Sequence, residues 1–436
     1  MFDLVIRDAR VVDGTGSAPF AADVAVADGL IVEVRPGIEG DSRQVIDGTG
    51  HTVTPGFVDV HTHYDGQVTW DSMLEPSSAH GVTTVAVGNC GVGFAPVHPG
   101  REQWLVQLME GVEDIPGASL HEGITWGWES FPDYLDALDR LKWTMDVATF
   151  VPHGAVRGYV MEDRGARNEP ATAVDTAAMA TLVRESIEAG AFGFSTSRTI
   201  GHRAADGNPV PGSYASAAEL LAIAEAMVAG GGGLFESAPA ALEGGFGDQP
   251  VDEVHLLGEL TRRTGLRATY LLLQNRMEPK MWCRQLEATW AKNRDGARLV
   301  AQVAGRPFGV LIGFASYHPF MRRPTFRRLS AALPFDELAA ELARPAVRDA
   351  ILAEADLPID ESIRFDGLTE TIIGNLDRLY PLGDDVDYEP APERSIAARA
   401  AATGADPLRL IYDLCCENDG RAYLLLPFFG YADGDH

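Results

Sequence analysis

Two histidines separated by one residue end a short apolar stretch, PGFVDVHTH at residues 55–63. Alternate residues of a strand project from the same face, so we expect His61 and His63 to point the same way. Two neutral imidazoles side by side can hold one metal ion. The Pro-Gly turn before the strand, its apolar character and the nearby Asp65 favour a metal site over two surface histidines.

A cysteine closes the next strand-like stretch, GVTTVAVGNCG at residues 81–91. Asn89 and Gly91 suit a tight turn on either side of Cys90. A thiolate at the end of a strand, beside a histidine pair, could serve as a further metal ligand. The alternative is inert burial, the common fate of a free cysteine.

These two motifs, with WGWESF at 126–131 and GAFGFSTS at 190–197, resemble the amidohydrolase superfamily. Within it, GNCG at 88–91 is similar to the D-aminoacylase group, the N-acyl-D-amino-acid deacylases. The resemblance implies a metal-dependent amide hydrolase, with Cys90 as a metal ligand. It covers most of the chain and thins beyond residue 235.

The order of strand-like and helix-like segments predicts an α/β fold with two parts. Residues 1–52 read as a small antiparallel β-unit, the N-terminal β-sandwich part of this superfamily, with a hairpin at Asp28-Gly29. Residues 53–436 alternate strands with helices, which predicts a TIM-like (β/α)8 barrel with its site at the carboxyl ends of the strands. Seven candidate strands lie near 55–61, 82–88, 146–152, 190–196, 233–237, 267–273 and 308–314. The eighth strand is expected beyond the sequence in hand, and 320–400 is expected to be a helical insertion.

Four polar residues near strand ends are candidates for substrate binding: His153, Arg198, His202 and Glu236. His153 closes the third candidate strand, where a structural histidine bonded within the protein is the alternative. Arg198 and His202 lie in a polar run after the fourth strand that could clamp a carboxylate, or could be a solvated loop.

Two departures from the D-aminoacylase pattern concern the metal site. The group usually carries one histidine at the fifth strand and another about thirty residues later, where this chain has LFES at 234–237 and LLLQN at 271–275. Their loss favours one zinc ion over two, and Glu236 could substitute as a carboxylate. The resemblance also implies an aspartate on strand eight as general base. Asp433 and Asp435 are poor candidates, so this residue is expected beyond His436.

Composition and net charge limit the partners and the cellular location that the protein can have. The net charge of −28, from 35 basic and 63 acidic side chains, argues against partners such as nucleic acids and anionic membranes. Four cysteines are too few for a disulfide framework, and the sequence shows neither a signal peptide nor a transmembrane segment. We therefore expect a cytoplasmic enzyme with a small-molecule N-acyl substrate; the sequence allows a homo-oligomer.

The leading hypothesis is a zinc-dependent hydrolase of N-acyl-D-amino acids or related N-acyl compounds. Cyclic-amide hydrolysis, as in hydantoinases and dihydroorotases, is the first alternative because those enzymes share the scaffold. A truncated or inactive homologue is the second, since the eighth-strand aspartate and the rest of the β-unit are not found in residues 1–436.

Overall fold

The computed structural model describes residues 1–240, 248–275, 278–360, 366–383 and 386–431. Asp433 and Asp435, considered above as a general base, lie outside the described residues. Two compact units are distinguished. Unit 1 comprises Met1–His61, Ser72–Ala86 and Trp143–Val147, and unit 2 comprises Thr62–Asp71, Val87–Lys142 and Ala148–His436.

The N-terminal sheet contains five strands, with order β3-β2-β1-β4 and β5 paired to β1. Their bounds are β1 Phe2–Val11, β2 Phe20–Ala27, β3 Leu30–Arg35, β4 Ser42–Asp47 and β5 Thr52–Val53. The predicted hairpin is confirmed, because β2 pairs antiparallel with β3 and Asp28 and Gly29 both have positive φ. The all-antiparallel arrangement was wrong, since β4 and β5 run parallel to β1. Alternation within a strand does not specify the direction of its partner.

Seven further strands form a sheet of order β12-β11-β10-β9-β8-β7-β6. They are β6 Phe57–Asp59, β7 Val82–Val87, β8 Asp146–Pro152, β9 Gly193–Ser197, β10 Leu234–Ala238, β11 Arg267–Leu271 and β12 Leu299–Gln302. The pairs β6–β7 and β8–β9 through β11–β12 are parallel. The fold is therefore α/β, with seven parallel strands of an incomplete (β/α) barrel, as the sequence predicted.

The prediction that residues 308–314 form the seventh barrel strand was wrong. Residues 308–314 do contain a strand, β13 Phe308–Ile312, but it pairs antiparallel with β15 Tyr423–Phe429, which also pairs with β14 Tyr380–Leu382. The barrel instead continues through β12. Strand β12 has only four residues and ends in Gln302, so its sequence carries little strand periodicity. The apolar run at 308–312 predicts a strand clearly, but it does not indicate which sheet that strand joins.

Sixteen α-helices lie within the described residues. They are α1 Glu102–Glu113, α2 Gly117–Gly123, α3 Phe131–Asp139, α4 His153–Met161, α5 Asp163–Ala166, α6 Ala173–Glu188, α7 Ala217–Ala229, α8 Gln249–Thr264, α9 Met281–Arg294, α10 Pro324–Ser330, α11 Phe335–Leu342, α12 Pro345–Ala353, α13 Leu368–Ile373, α14 Ile396–Thr403, α15 Pro407–Cys415 and α16 Glu417–Gly420. Within those ranges no helix combines the length and apolarity needed to cross a membrane. The domain boundary between residues 52 and 53 and the helical insertion at 320–400 remain predictions.

The end of β7 turns sharply, and glycine is needed there. Gly88 has φ of +80°, and a Cβ on it would lie 2.4 Å from the backbone oxygen of Phe150 in β8. Only glycine combines a left-handed backbone with so close an approach. The turn that presents Cys90 therefore depends on the missing side chain of Gly88.

We predict that Gly88→Ala destabilises the protein by about 2–5 kcal/mol, because left-handed strain of about 1–2 kcal/mol adds to overpacking of about 1–3 kcal/mol. Gly100→Ala is the matched control, since Gly100 has φ of +87° but open space around it. Urea unfolding of both variants measures the difference. Equal losses would show that the contact with Phe150 contributes nothing.

Candidate metal centre

The three predicted metal ligands come together. His61 and His63 follow β6, and Cys90 lies in the turn after β7. One potential ligand atom from each of the three side chains lies within 4.8 Å of the other two. The strand ends earlier than the sequence predicted, at Asp59, so both histidines lie in the segment that follows it, and that segment still brings the two imidazoles to the Cys90 thiol.

The turn that carries Cys90 is held by hydrogen bonds from neighbouring strands. Cys90 has φ of +55°, and its backbone N–H donates to Oε2 of Glu236 on β10 at 3.1 Å. The Gly91 N–H donates to Oγ of Ser195 on β9 at 3.0 Å, and that hydroxyl donates to the Gly88 carbonyl. Because all these groups are buried, each lost partner would cost about 1–3 kcal/mol. The strained backbone is therefore fixed from two sides.

The donor set suits zinc. Two imidazoles and a thiolate combine borderline and soft donors, which favour zinc over magnesium or calcium. Burial, with a smaller contribution from the charge of His202, lowers the pKa of His63 to about 3. The ring is then neutral at physiological pH, the form in which imidazole binds a metal.

Three carboxylates lie around this donor set. Asp65 is buried, and one of its oxygens, Oδ2, lies 4.0 Å from Nδ1 of His63. Oε2 of Glu113, at the end of α1, lies 3.3 Å from Nε2 of the same ring. Burial, with a contribution from the charge of Glu113, raises the pKa of Asp65 and that of Glu236 to about 8 each. Acidic groups that disfavour one another's ionisation are typical of sites that receive a cation.

Glu236 was predicted to bind substrate or to replace a metal-binding histidine. Its side chain is fully buried on β10 and accepts the Cys90 N–H. This contact places Glu236 behind the cysteine turn, where it orients a predicted metal ligand.

His153 was predicted to bind substrate, with a structural histidine as the alternative. The side chain is fully buried at the start of α4. Its Nε2 donates to Oε1 of Glu219 at 2.9 Å and its Nδ1 lies 2.8 Å from the Thr196 hydroxyl. Arg157 also donates to Glu219. Both ring nitrogens have partners within the protein, which favours the structural alternative.

The position of Glu219 explains this network. Ser216 caps α7 and accepts the N–H of Glu219, so the carboxylate lies in the first turn, where a helix favours negative charge. Burial by itself raises the pKa of Glu219, but the hydrogen bonds and charges of His153 and Arg157 outweigh it and hold the pKa at about 2. Burial lowers the pKa of His153. The triad is thus a neutral imidazole beside a buried ion pair.

Arg198 and His202, the other predicted substrate-binding residues, have different surroundings. Arg198 forms two hydrogen bonds to Glu253 on α8, at 2.7 and 3.1 Å, and donates to the Ala215 carbonyl. Its guanidinium ties the loop to a helix. His202 is only partly buried, its Nδ1 lies 3.0 Å from Oγ of Ser197, and its charge affects His63. Of the two, His202 is better placed to meet a substrate.

Sequence reasoning missed Glu113. The ligands predicted from the sequence lie at strand ends, whereas Glu113 is the last residue of a helix. The signal available was its place in the segment between the second and third barrel strands, since loops on that side of a barrel carry active sites. Nothing in the helix pattern distinguished it from Glu110, one turn earlier.

Parallel barrel strands with histidines and a cysteine at their carboxyl ends define a metal-binding (β/α) barrel protein. A model of the amidohydrolase family matches residues 44–412. The chain belongs to the amidohydrolase family, and the resemblance noted in the sequence is confirmed.

Two relatives and one solved structure show what the chain is similar to. An N-acyl-D-aspartate deacylase of Alcaligenes xylosoxydans xylosoxydans is 34% identical over 194 residues, covering 44% of this chain and 36% of that protein. An N-acyl-D-glutamate deacylase of the same organism is 31% identical over 297 residues, covering 68% of this chain and 54% of the relative. The crystal structure of an N-acyl-D-glutamate deacylase from Bordetella bronchiseptica, complexed with zinc and a phosphonate inhibitor, has a TM-score of 0.55 at 22% identity, covering 98% of this chain and 72% of that one. The matched regions thus span between about a third and about half of the two relatives, and the structural likeness supports the fold.

The buried triad of His153, Glu219 and Arg157 predicts how the stability of the protein depends on pH. The folded state binds fewer protons than the unfolded chain below pH 6.5 because of His153, and between pH 4.5 and about 2 because of Glu219. The stability that both groups contribute is therefore lost as the pH falls. We predict that Glu219→Gln costs about 3–5 kcal/mol at pH 7, the typical result of breaking a buried ion pair, and removes the part of the acid dependence that lies between pH 4.5 and about 2.

The control for this variant is Glu225→Gln, an exposed position on the same helix. Urea unfolding at several pH values between about 2 and 7.5 compares the two variants with the unmodified chain. A Glu219→Gln protein as stable as the control would show that the triad does not stabilise the fold.

Proposed function

We propose that the protein is a zinc-dependent hydrolase that cleaves the amide bond of N-acyl-D-amino acids or related N-acyl compounds. The observation that carries the proposal is the group formed by His61, His63 and Cys90, whose donor atoms lie within 4.8 Å of one another. Membership of the amidohydrolase family and similarity to two N-acyl-D-amino-acid deacylases support the reaction class.

The chain's own residues take the following roles in the proposal. His61, His63 and Cys90 hold one zinc ion, and Glu236 fixes the cysteine turn through the Cys90 N–H. Zinc, when bound, lowers the pKa of water and polarises a carbonyl. His202 meets polar groups of the substrate, while Arg198 and His153 hold the surrounding loops and helices through Glu253 and Glu219.

One ion is favoured over two because of the residues beyond the fourth strand. Glu236 and Gln274 lie in the two segments, 234–237 and 271–275, in which the family resemblance would imply histidines. The carboxylate of Glu236 accepts the backbone N–H of Cys90, and the side-chain amide of Gln274 is not among the usual donors to zinc. A cytoplasmic location is part of the proposal and is supported by four cysteines that are all free thiols.

Metal content is the first test. We expect about one zinc per purified chain, lost in the double variant His61→Ala/His63→Ala and in Cys90→Ser, because each variant removes donors that bind the ion. His255→Ala, at an exposed position on α8, is the control and should retain zinc. A folded chain that takes up no zinc would overturn the proposal.

Substrate class is tested with zinc-loaded protein on a panel of acidic and apolar N-acetyl-D-amino acids, their L-enantiomers and a hydantoin, with release of the free amine or opening of the ring as the measurement. We expect hydrolysis of D-configured open-chain substrates. Ring opening alone would replace this proposal with a cyclic-amide hydrolase.

A further inference from the structure

We propose that a cavity at the carboxyl ends of β11 and β12 binds a small molecule that combines a carboxylate with an apolar group, and that Arg306 pairs with the carboxylate. Two kinds of molecule in the proposed reaction have this chemistry: an N-acyl amino acid and the carboxylic acid released from it. The inference rests on the proposed function only for this choice of source, because binding to the cavity requires no zinc ion.

The cavity has the size and lining of a small-molecule site. Its volume is about 350 Å³, near the lower end of the range of about 300–1,000 Å³ that is typical of ligand pockets. Its walls come from the segments after β11 and β12, from helix α9 and from strands β13 and β15. The apolar side chains of the wall are Leu272, Trp282, Leu286, Val303, Phe308 and Phe429.

Contacts between the walls give the cavity a fixed shape. Phe308 and Phe429 are partners in the β13–β15 ladder, with ring centroids 5.1 Å apart. The Gly430 N–H donates to the Gln274 carbonyl at 2.9 Å. Gly430 has φ of +80°, and a Cβ there would lie 2.9 Å from Cβ of Pro307. Because the site is built in advance, a ligand loses little binding free energy to ordering the protein.

Part of the apolar wall is exposed to solvent. Phe308 exposes 42% of its surface and Val303 exposes 71%. Exposed apolar groups around a concave surface are typical of ligand-binding grooves. An apolar ligand group in the cavity would remove this surface from water, which is favourable.

Arg306 supplies the charge that the apolar wall lacks. It is the one charged residue among the described residues that line the cavity. Its side chain is exposed, and it forms neither an ion pair nor a hydrogen bond with any other residue in the described ranges. A guanidinium binds a carboxylate through two parallel hydrogen bonds. A cation without an acidic partner, in a chain with 63 acidic and 35 basic side chains, is therefore positioned to attract an anion.

Arg306 can take the role that the sequence suggested for Arg198. Arg198 already forms two hydrogen bonds to Glu253, so binding a ligand carboxylate would require breaking that pair. Arg306 follows the carboxyl end of β12, on the side of a barrel where functional residues lie.

The test uses the full chain with His61→Ala/His63→Ala, so that neither hydrolysis nor a bond between carboxylate and zinc contributes. Binding of hydrocinnamate and of the corresponding neutral alcohol is measured by titration calorimetry. Arg306→Gln removes the charge, and Val303→Asp adds an opposite charge at an exposed position of the wall. Arg267→Gln, at an exposed position at the amino end of β11, is the matched control. Circular dichroism checks that each variant is folded.

We expect Arg306→Gln to weaken hydrocinnamate binding by about tenfold, because a charge-assisted contact is lost. Val303→Asp should weaken it at least as much, and Arg267→Gln should leave it unchanged. The alcohol should bind weakly, with the same affinity in Arg306→Gln as in the chain with the intact cavity. N-acetyl-D-phenylalanine that displaces hydrocinnamate at a lower concentration than hydrocinnamate itself requires would identify the substrate as the ligand; the reverse order would identify the released acid.

Hydrocinnamate that does not bind, or that binds equally well to Arg306→Gln, Val303→Asp and the intact cavity, would overturn the inference. The proposed function would stand, since it is decided by zinc content and hydrolysis. A zinc-loaded chain that hydrolyses no substrate but binds hydrocinnamate through Arg306 would overturn the proposed function and leave the cavity as a binding site, so the two failures are distinguishable.

Discussion

The left-handed turn from Gly88 to Gly91 is the constraint on which the site depends. Its backbone N–H groups at Cys90 and Gly91 are buried and need acceptors, and they find them in Glu236 and Ser195. Strands β9 and β10 must therefore carry polar side chains at fully buried positions. The orphaned donors would otherwise cost about 1–3 kcal/mol each, and the thiol would lose its defined direction.

A second set of buried polar contacts supports the loops around the site. The His153–Glu219–Arg157 triad joins the start of α4 to the start of α7, and the Arg198–Glu253 pair joins the loop after β9 to α8. These side chains are of the types that clamp a substrate carboxylate, and nothing in their sequence pattern distinguishes that role from a structural one. Their partners, Glu219 and Glu253, lie on distant helices and become visible only in the fold.

The sequence predicts features that depend on neighbouring residues and fails for features that depend on contacts between distant parts of the chain. The spacing of His61 and His63 predicted that they converge, although both lie just beyond β6 rather than in it, and the family resemblance predicted Cys90 near them. The parallel barrel also followed from alternating patterns. Strand β12 could not be found, since four residues carry little periodicity, and β13 was assigned to the wrong sheet because an apolar run does not specify its partner. Glu113 depends on the tertiary placement of a helix.

The position of Glu113 depends on how α1 packs, so substitutions in the core around α1 affect the contact between Glu113 and His63. The buried face of α1 and the residues after the cysteine turn share one core cluster, so a cavity at Leu105 or Leu108 would shift the helix end as well as reduce stability. The distance between Glu113 and His63 is set by that packing rather than by any local motif. Precision at the metal centre is therefore a property of the core between α1 and the Cys90 turn, and packing and ligand geometry cannot vary independently here.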